Sequence, residues 1–158
     1  MSDDADRAAL ALLLFESHQR VVGRPLSNSA LTGKALVDAL WRMPQVLVAH
    51  GLGDDPLFNY GNAAALALFE MTWAQFIATP SRASAEASNQ AARARVMADV
   101  ASRGYTTGYR GLRVSRTGQR FWIEDTTIWN VLDADGRYCG QAATFAHWTP
   151  VAGPTRGQ

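Results

Sequence analysis

The stretch from Thr117 to His147 constrains this chain more than any other. It reads as two long strands, Gln119 to Leu132 and Arg137 to His147, around the turn Asp133-Ala134-Asp135-Gly136. An Asp-Gly pair between β-branched and aromatic runs is a strong hairpin signal, because Gly supplies the positive φ that such turns need. Thr117-Gly118 marks a second turn, leading back to a strand over Tyr105 to Arg116. Three consecutive antiparallel strands therefore close the chain, and the remaining elements must cover the faces of that meander.

The preceding elements follow from periodicity and breakers. Ala5 to Arg20 has helical spacing, with Leu10, Leu13, Leu14 and Ser17 on one face, and Gly23-Arg24-Pro25 breaks it. Ser29 to Met43 carries a stripe of Leu31, Ala35, Leu36, Ala39, Leu40 and Met43, and Pro44 stops it. These stripes serve either the outer face of the sheet or a dimer interface. Short strands follow at Gln45 to His50 and Leu57 to Tyr60. Asn62 caps a helix over Ala63 to Glu70, and Trp73 to Ile77 adds a helical turn. Ser88 to Arg103 is a longer helix, ended by Gly104. The order predicts an α+β fold, a five-stranded antiparallel sheet with helices on one face and the N-terminal helices on the other. The expected division is a helical extension over 1–44, the sheet domain over 45–149 and a flexible tail over 150–158.

Composition narrows the function. A chain of 158 residues, 47% hydrophobic and 18% charged, fits one ordinary globular domain. A formal charge of +1 gives no support for nucleic acid or an anionic membrane as partner. The single cysteine, Cys139, precludes an internal disulfide. Asp3, Asp4 and Asp6 stand where a signal peptide is basic, and no apolar run spans a bilayer, so the expected location is the cytoplasm.

The chain resembles the MEKHLA family, a PAS-like domain. The resemblance rests on Asp55-Pro56-Leu57-Phe58-Asn59-Tyr60-Gly61-Asn62, Ala65-Leu66-Ala67-Leu68-Phe69-Glu70 and Pro80-Ser81-Arg82-Ala83-Ser84-Ala85-Glu86. It continues through Gly118-Gln119-Arg120-Phe121-Trp122-Ile123-Glu124-Asp125 and from Ile128-Trp129-Asn130 to Gly140-Gln141-Ala142-Ala143. The family's eponymous hexapeptide is absent, with Phe69-Glu70-Met71-Thr72 its nearest neighbourhood. The resemblance implies a sensory or regulatory domain in which one sheet face and the helical segment enclose a cavity.

Strand alternation then assigns faces. If Thr117-Gly118 is a two-residue turn, Val114 lies opposite Phe121, Leu112 opposite Ile123 and Arg110 opposite Asp125, all on the cavity face. Arg110 and Asp125 are then either a structural ion pair or a ligand-recognising pair. The opposite face carries Arg113, Trp122, Glu124, Thr126 and Ile128, with Arg113 stacked on Trp122 beneath the N-terminal helices. A bulge reverses every assignment beyond it. Tyr60 is expected to point its hydroxyl into the cavity. Arg82, between Ser81 and Ser84, either binds a carboxylate or phosphate or pairs with Glu86. The candidate ligand set is Tyr60, Trp73, Arg82, Arg110, Asp125 and Gln141, and the structural set is Asn59, Asn62, Glu86 and Trp129. A void of roughly 300 Å³ beneath Tyr60, Trp73, Arg110 and Asp125 is the expected mark of a ligand.

Cofactors and catalysis find little support. Gln141 sits on the strand where flavin-binding relatives of the PAS fold place a glutamine. The reactive cysteine of the light sensors, in an Asn-Cys-Arg-Phe type motif, has no counterpart here. No cofactor is therefore expected, with a non-covalent flavin or another small molecule left open. Haem lacks an axial histidine on Ser88 to Arg103, since His18, His50 and His147 lie elsewhere. There is no Gly-x-Ser-x-Gly elbow, phosphate-binding loop or His-x-x-x-His pair, so no metal site and no enzyme is expected. Three functions stay open in order: a ligand-binding sensory module acting on a homodimer or protein partner, a ligand-free dimerisation domain, and a small enzyme using the cavity.

Overall fold

The computed structural model describes residues 3–27, 30–85 and 90–151. The element order is α1 (Asp3–Val21), α2 (Gly33–Arg42), β1 (Val46–His50), β2 (Phe58–Gly61), α3 (Ala63–Phe69) and α4 (Trp73–Ile77). A 3-10 turn (Ser81–Ser84) leads to α5 (Gln90–Arg103), and β3 (Tyr105–Val114), β4 (Arg120–Leu132), β5 (Tyr138–Phe145) and β6 (His147–Pro150) close the chain. One antiparallel sheet has the order β2-β1-β5-β4-β3. The expected last strand is two strands, broken at Ala146: β5 pairs with Thr127–Leu132 of β4, and β6 pairs with Phe121–Glu124. The proposed roles of Glu86 and Ser88 lie outside the described residues.

Four local irregularities decide which side chains face which way. The β3–β4 connection is a three-residue loop: Gly118 N–H donates to the Ser115 carbonyl at 3.0 Å and Ser115 N–H to the Gln119 carbonyl at 2.8 Å. Gly118 takes the positive φ, 92°, that closes such a loop. The expected two-residue turn is thereby corrected, and β3 shifts by one: Arg113 lies opposite Phe121 and Leu112 opposite Trp122. An extra residue at Glu124-Asp125, with Asp125 at φ 47°, then bulges β4. A second bulge at Thr107-Gly108, with Gly108 at φ 70°, restores the pairing on β3. The register of β1 with β2 shifts around Asn59, so Phe58 faces inward while Tyr60 faces outward.

The outer face is sealed by α1 and α2. Leu14, Leu36 and Leu40 pack on Leu47, Tyr60, Trp129 and Val131, so the apolar stripes of both helices are buried within the chain. Trp129 is fully buried; its Nε1–H donates to Ser17 Oγ at 3.0 Å, and His18 meets it edge-on at 4.7 Å. Ser17 Oγ in turn donates to the Leu14 carbonyl at 3.2 Å.

Asn62, also fully buried, joins this layer to the rest. Its Oδ1 accepts from Ala65 N–H and Leu47 N–H, both at 3.1 Å, and its Nδ2 donates to the carbonyls of Leu40 at 3.1 Å and Gln45 at 2.9 Å. The expected helix cap is thus also a clamp on the end of α2, the linker after it, and β1. All four hydrogen-bonding sites of the amide are used, which removes the cost of burying it.

Candidate functional site

The inner face of the sheet, the 3-10 turn and α5 enclose a cavity of about 450 Å³. Its apolar wall includes Val48, Phe58, Phe69, Ile123, Ile128 and Phe145, with Val96 and Met97 contributed by α5. Its polar groups come from three places. In the middle, Gln141 stands in register between His50 of β1 and Asn130 of β4, and its Nε2 donates to Asn130 Oδ1 at 3.3 Å. His50 Nδ1 donates to the Gly51 carbonyl at 3.0 Å, so in a neutral ring Nε2 is the acceptor. At the β1–β2 rim, Arg82 makes a two-pronged pair with Asp55, at 2.7 and 3.2 Å, with Asp54 and Ser81 beside it. On β3 stand Tyr109 and Arg113.

Tyr109 explains a glycine. A Cβ on Gly111 would lie 2.3 Å from the Tyr109 hydroxyl, so the ring can lie over that residue only because it is bare. The Arg113 guanidinium sits 5.7 Å from the Tyr109 ring centre and donates to the Leu112 carbonyl at 2.9 Å. Gly140 serves a comparable purpose between β5 and β1: a Cβ there would meet the His50 carbonyl oxygen at 2.0 Å.

The sequence-derived candidates separate into two groups. Gln141 and Arg82 line the cavity. Arg82 pairs with Asp55, because the loop before Pro56 brings that carboxylate to it. Tyr60 and Trp73 belong to the outer core instead, since the β2 bulge turns Tyr60 away from the cavity. Tyr60 meets Trp41 edge-on at 6.4 Å and Trp73 at 6.0 Å, and burial pushes its phenol above the ordinary range. Arg7 stacks over Trp41 and Trp73 at 4.8 and 4.7 Å. Trp73 Nε1 and Asn59 Oδ1 are buried without a hydrogen-bond partner among the described residues.

The expected Arg110–Asp125 pair does not form. Arg110 Nε donates to Glu124 at 2.8 Å, and its guanidinium lies 4.1 Å over Trp122, on the outer side. Asp125 is the exposed bulge residue. The expected Arg113–Trp122 stacking fails for the same reason: the three-residue turn sends Arg113 inward and leaves Arg110 to Trp122. Ile128, assigned to the outer face, lines the cavity because the Asp125 bulge reverses parity. Trp129 then takes the outer position beneath α1, whereas Trp122 is covered by Arg110. His50, Tyr109 and Arg113, with Asp54 and Asp55 at the rim, are polar cavity residues outside the sequence-derived candidate set. The signal for Arg113 was Gly118, since Gly at the third position of a loop is the mark of a three-residue hairpin.

The described residues contain no group of three His, Cys, Asp or Glu side chains able to hold a metal. None of their helices is long and apolar enough to cross a membrane.

An antiparallel sheet with a cavity between its inner face and a helical segment is the PAS arrangement, and solved structures agree. A PAS domain from Colwellia psychrerythraea superposes with a TM-score of 0.60 at 16% identity, covering 75% of this chain and 95% of that one. An RNA-binding light-oxygen-voltage receptor gives 0.60 at 20% identity over 77% of this chain and 35% of its own. The dark structure of the blue-light photoreceptor Aureochrome1 LOV gives 0.53 at 18%, over 82% and 89%. These likenesses show the fold. The MEKHLA domain profile matches residues 8–150, and the chain belongs to the MEKHLA domain family. No curated protein matches the sequence.

Proposed function

We propose that this PAS-like domain is a cytoplasmic sensory module that holds a small molecule in the inner cavity and passes its presence on through protein contacts. The cavity of about 450 Å³ carries this reading, because it combines an apolar wall with a few convergent polar groups. In this reading residues 45–149 bind the ligand and the extension over 1–44 responds. The route is short: Ile128 lines the cavity, and the next residue, Trp129, holds Ser17 of α1. A ligand pressing on Ile128 acts on helix docking only if it prefers one docking state to the other. The structural neighbours, which include light receptors and a blue-light activated histidine kinase, fit a sensory role.

Native mass spectrometry of the protein purified from its own host tests the proposal. The expected result is a co-purifying mass that is lost on denaturation. A bare mass, with the cavity unresponsive to added small molecules, would favour a ligand-free interaction domain. The same spectrum reports whether the chain is a homodimer.

A further inference from the structure

We propose that the molecule held in this cavity is an anion, a carboxylate on an apolar body, with its charge received by Arg113. This rests on the cavity being a ligand site, and it adds the ligand's chemical class.

The argument is a charge balance. Of the two described arginines lining the cavity, Arg82 is neutralised by the two-pronged contact with Asp55. Arg113 has no Asp or Glu within ion-pair distance among the described residues. Its contacts are the carbonyl of Leu112 and the face of the Tyr109 ring, neither of which carries a formal charge. Arg113 is also partly buried, opposite the buried Phe121. A guanidinium withdrawn from water needs an anionic or hydrogen-bonding partner to offset the loss of hydration. Among the described residues the remaining acid lining the cavity, Asp54, is exposed in the β1–β2 loop. Asp54 is therefore a solvated charge in the β1–β2 loop, with no ion pair to Arg113 among the described residues.

The guanidinium fork matches a carboxylate through two parallel N–H donors. From there a ligand body running across the sheet meets Ile123, Ile128 and Phe145, all apolar, before it reaches Gln141 and His50. The fold positions the receiving arginine through the three-residue turn at Arg116–Gly118, without which Arg113 would face outward.

The test is isothermal titration of the full chain with 4-phenylbutanoate and with its neutral amide, which differ in charge and little in shape. The acid is expected to bind about tenfold or more tightly than the amide. In Arg113→Met, which keeps the length of the stem, acid and amide should bind alike, while Arg113→Lys should keep part of the preference. The comparison on the unaltered chain stands even if a variant folds poorly. Equal binding of acid and amide by the unaltered chain overturns the inference and leaves the cavity a ligand site. A preference that survives in a folded Arg113→Met variant overturns the role of Arg113. Binding of neither probe overturns this inference together with the cavity reading.

Discussion

The two faces of the sheet are built for opposite purposes. The outer face is closed: Leu14, Leu40, Leu47 and Trp129 are at most 1% exposed, and the one polar atom of Trp129 has its partner in Ser17. The inner face leaves Val48, Ile128 and Ala143 half-buried around an open volume, with an arginine unbalanced by any described acid. Dense packing lowers the energy of one structure, and open volume forgoes that gain. The inner side keeps a buried cluster of its own around Phe58, Phe69, Phe76 and Phe121, and the open volume beside it is free for recognition. Residues 128 and 129 carry the contrast within one peptide unit.

Those two residues give the largest expected effect. Trp129→Ala should cost about 4 kcal/mol of unfolding free energy, because it removes a fully buried ring and strands the Ser17 hydroxyl. Ile128→Ala, on the cavity side, should cost only about 1 kcal/mol, since part of the side chain already faces open volume. Urea unfolding of both variants measures the difference, and equal losses would break the comparison. Next comes Asn62→Ala, expected to cost about 3 kcal/mol, because three buried backbone groups and the half-buried Gln45 carbonyl lose their partner together. Hydrogen exchange should then rise at Leu47 and Ala65, whose N–H groups the side chain accepts; unchanged protection there would contradict the clamp.

The fold was legible because its signals are local and redundant. Asp133 with Gly136, Asn62 before an alanine-rich helix, and the leucine stripe of α2 each mark an element by a mechanism that works within a few residues. The candidate site was legible only where a strand carried no irregularity before the residue in question. Gln141, offered as a ligand residue without a face assigned to it, lines the cavity. Arg110, Asp125, Ile128 and Tyr60 were not placed correctly, because side-chain direction alternates with period two and a single extra residue reverses it. A bulge at Asn59, one at Asp125 and a longer turn at Gly118 each add one residue. Non-glycine residues at Asp125 gave no compositional warning, whereas Gly118 did.

A smaller effect separates the faces by pH. Burial beside Trp129 holds the His18 imidazole below its ordinary value of 6.5, opposed by its hydrogen bond to the Arg24 carbonyl, with a lesser contribution from the Arg24 charge in the same direction as burial. The folded pKa is lowered, so the unfolded chain takes up a proton that the folded chain resists. Stability is then complete above 6.5 and declines as pH falls below it towards the folded value. Thermal unfolding at about pH 5.5 should occur at lower temperature than at about pH 7.5, and His18→Gln should reduce that difference. A dependence unchanged in the variant would remove His18 from the outer-face seal.

The smallest effect concerns the inner face. Glu70, itself in the left-handed region at φ 59°, accepts from the hydroxyls of Ser115 and Thr117, while Arg116 Nε donates to its carbonyl at 3.1 Å. These contacts tie the end of α3 to the turn that turns Arg113 inward. The Ser115 hydrogen bond, then that of Thr117, holds the Glu70 carboxyl below its ordinary 4.5. A lowered folded pKa contributes stability above the ordinary value and loses it as pH falls through the folded one. Glu70→Gln should therefore flatten the acid limb of the stability curve and speed hydrogen exchange at Ser115 and Gly118, leaving Trp129 protected. The carboxylate is exposed, so the effect on overall stability should be slight. Faster exchange that spread to Leu47 and Trp129 would mean the two faces unfold as one unit, and the division of labour between them would fail.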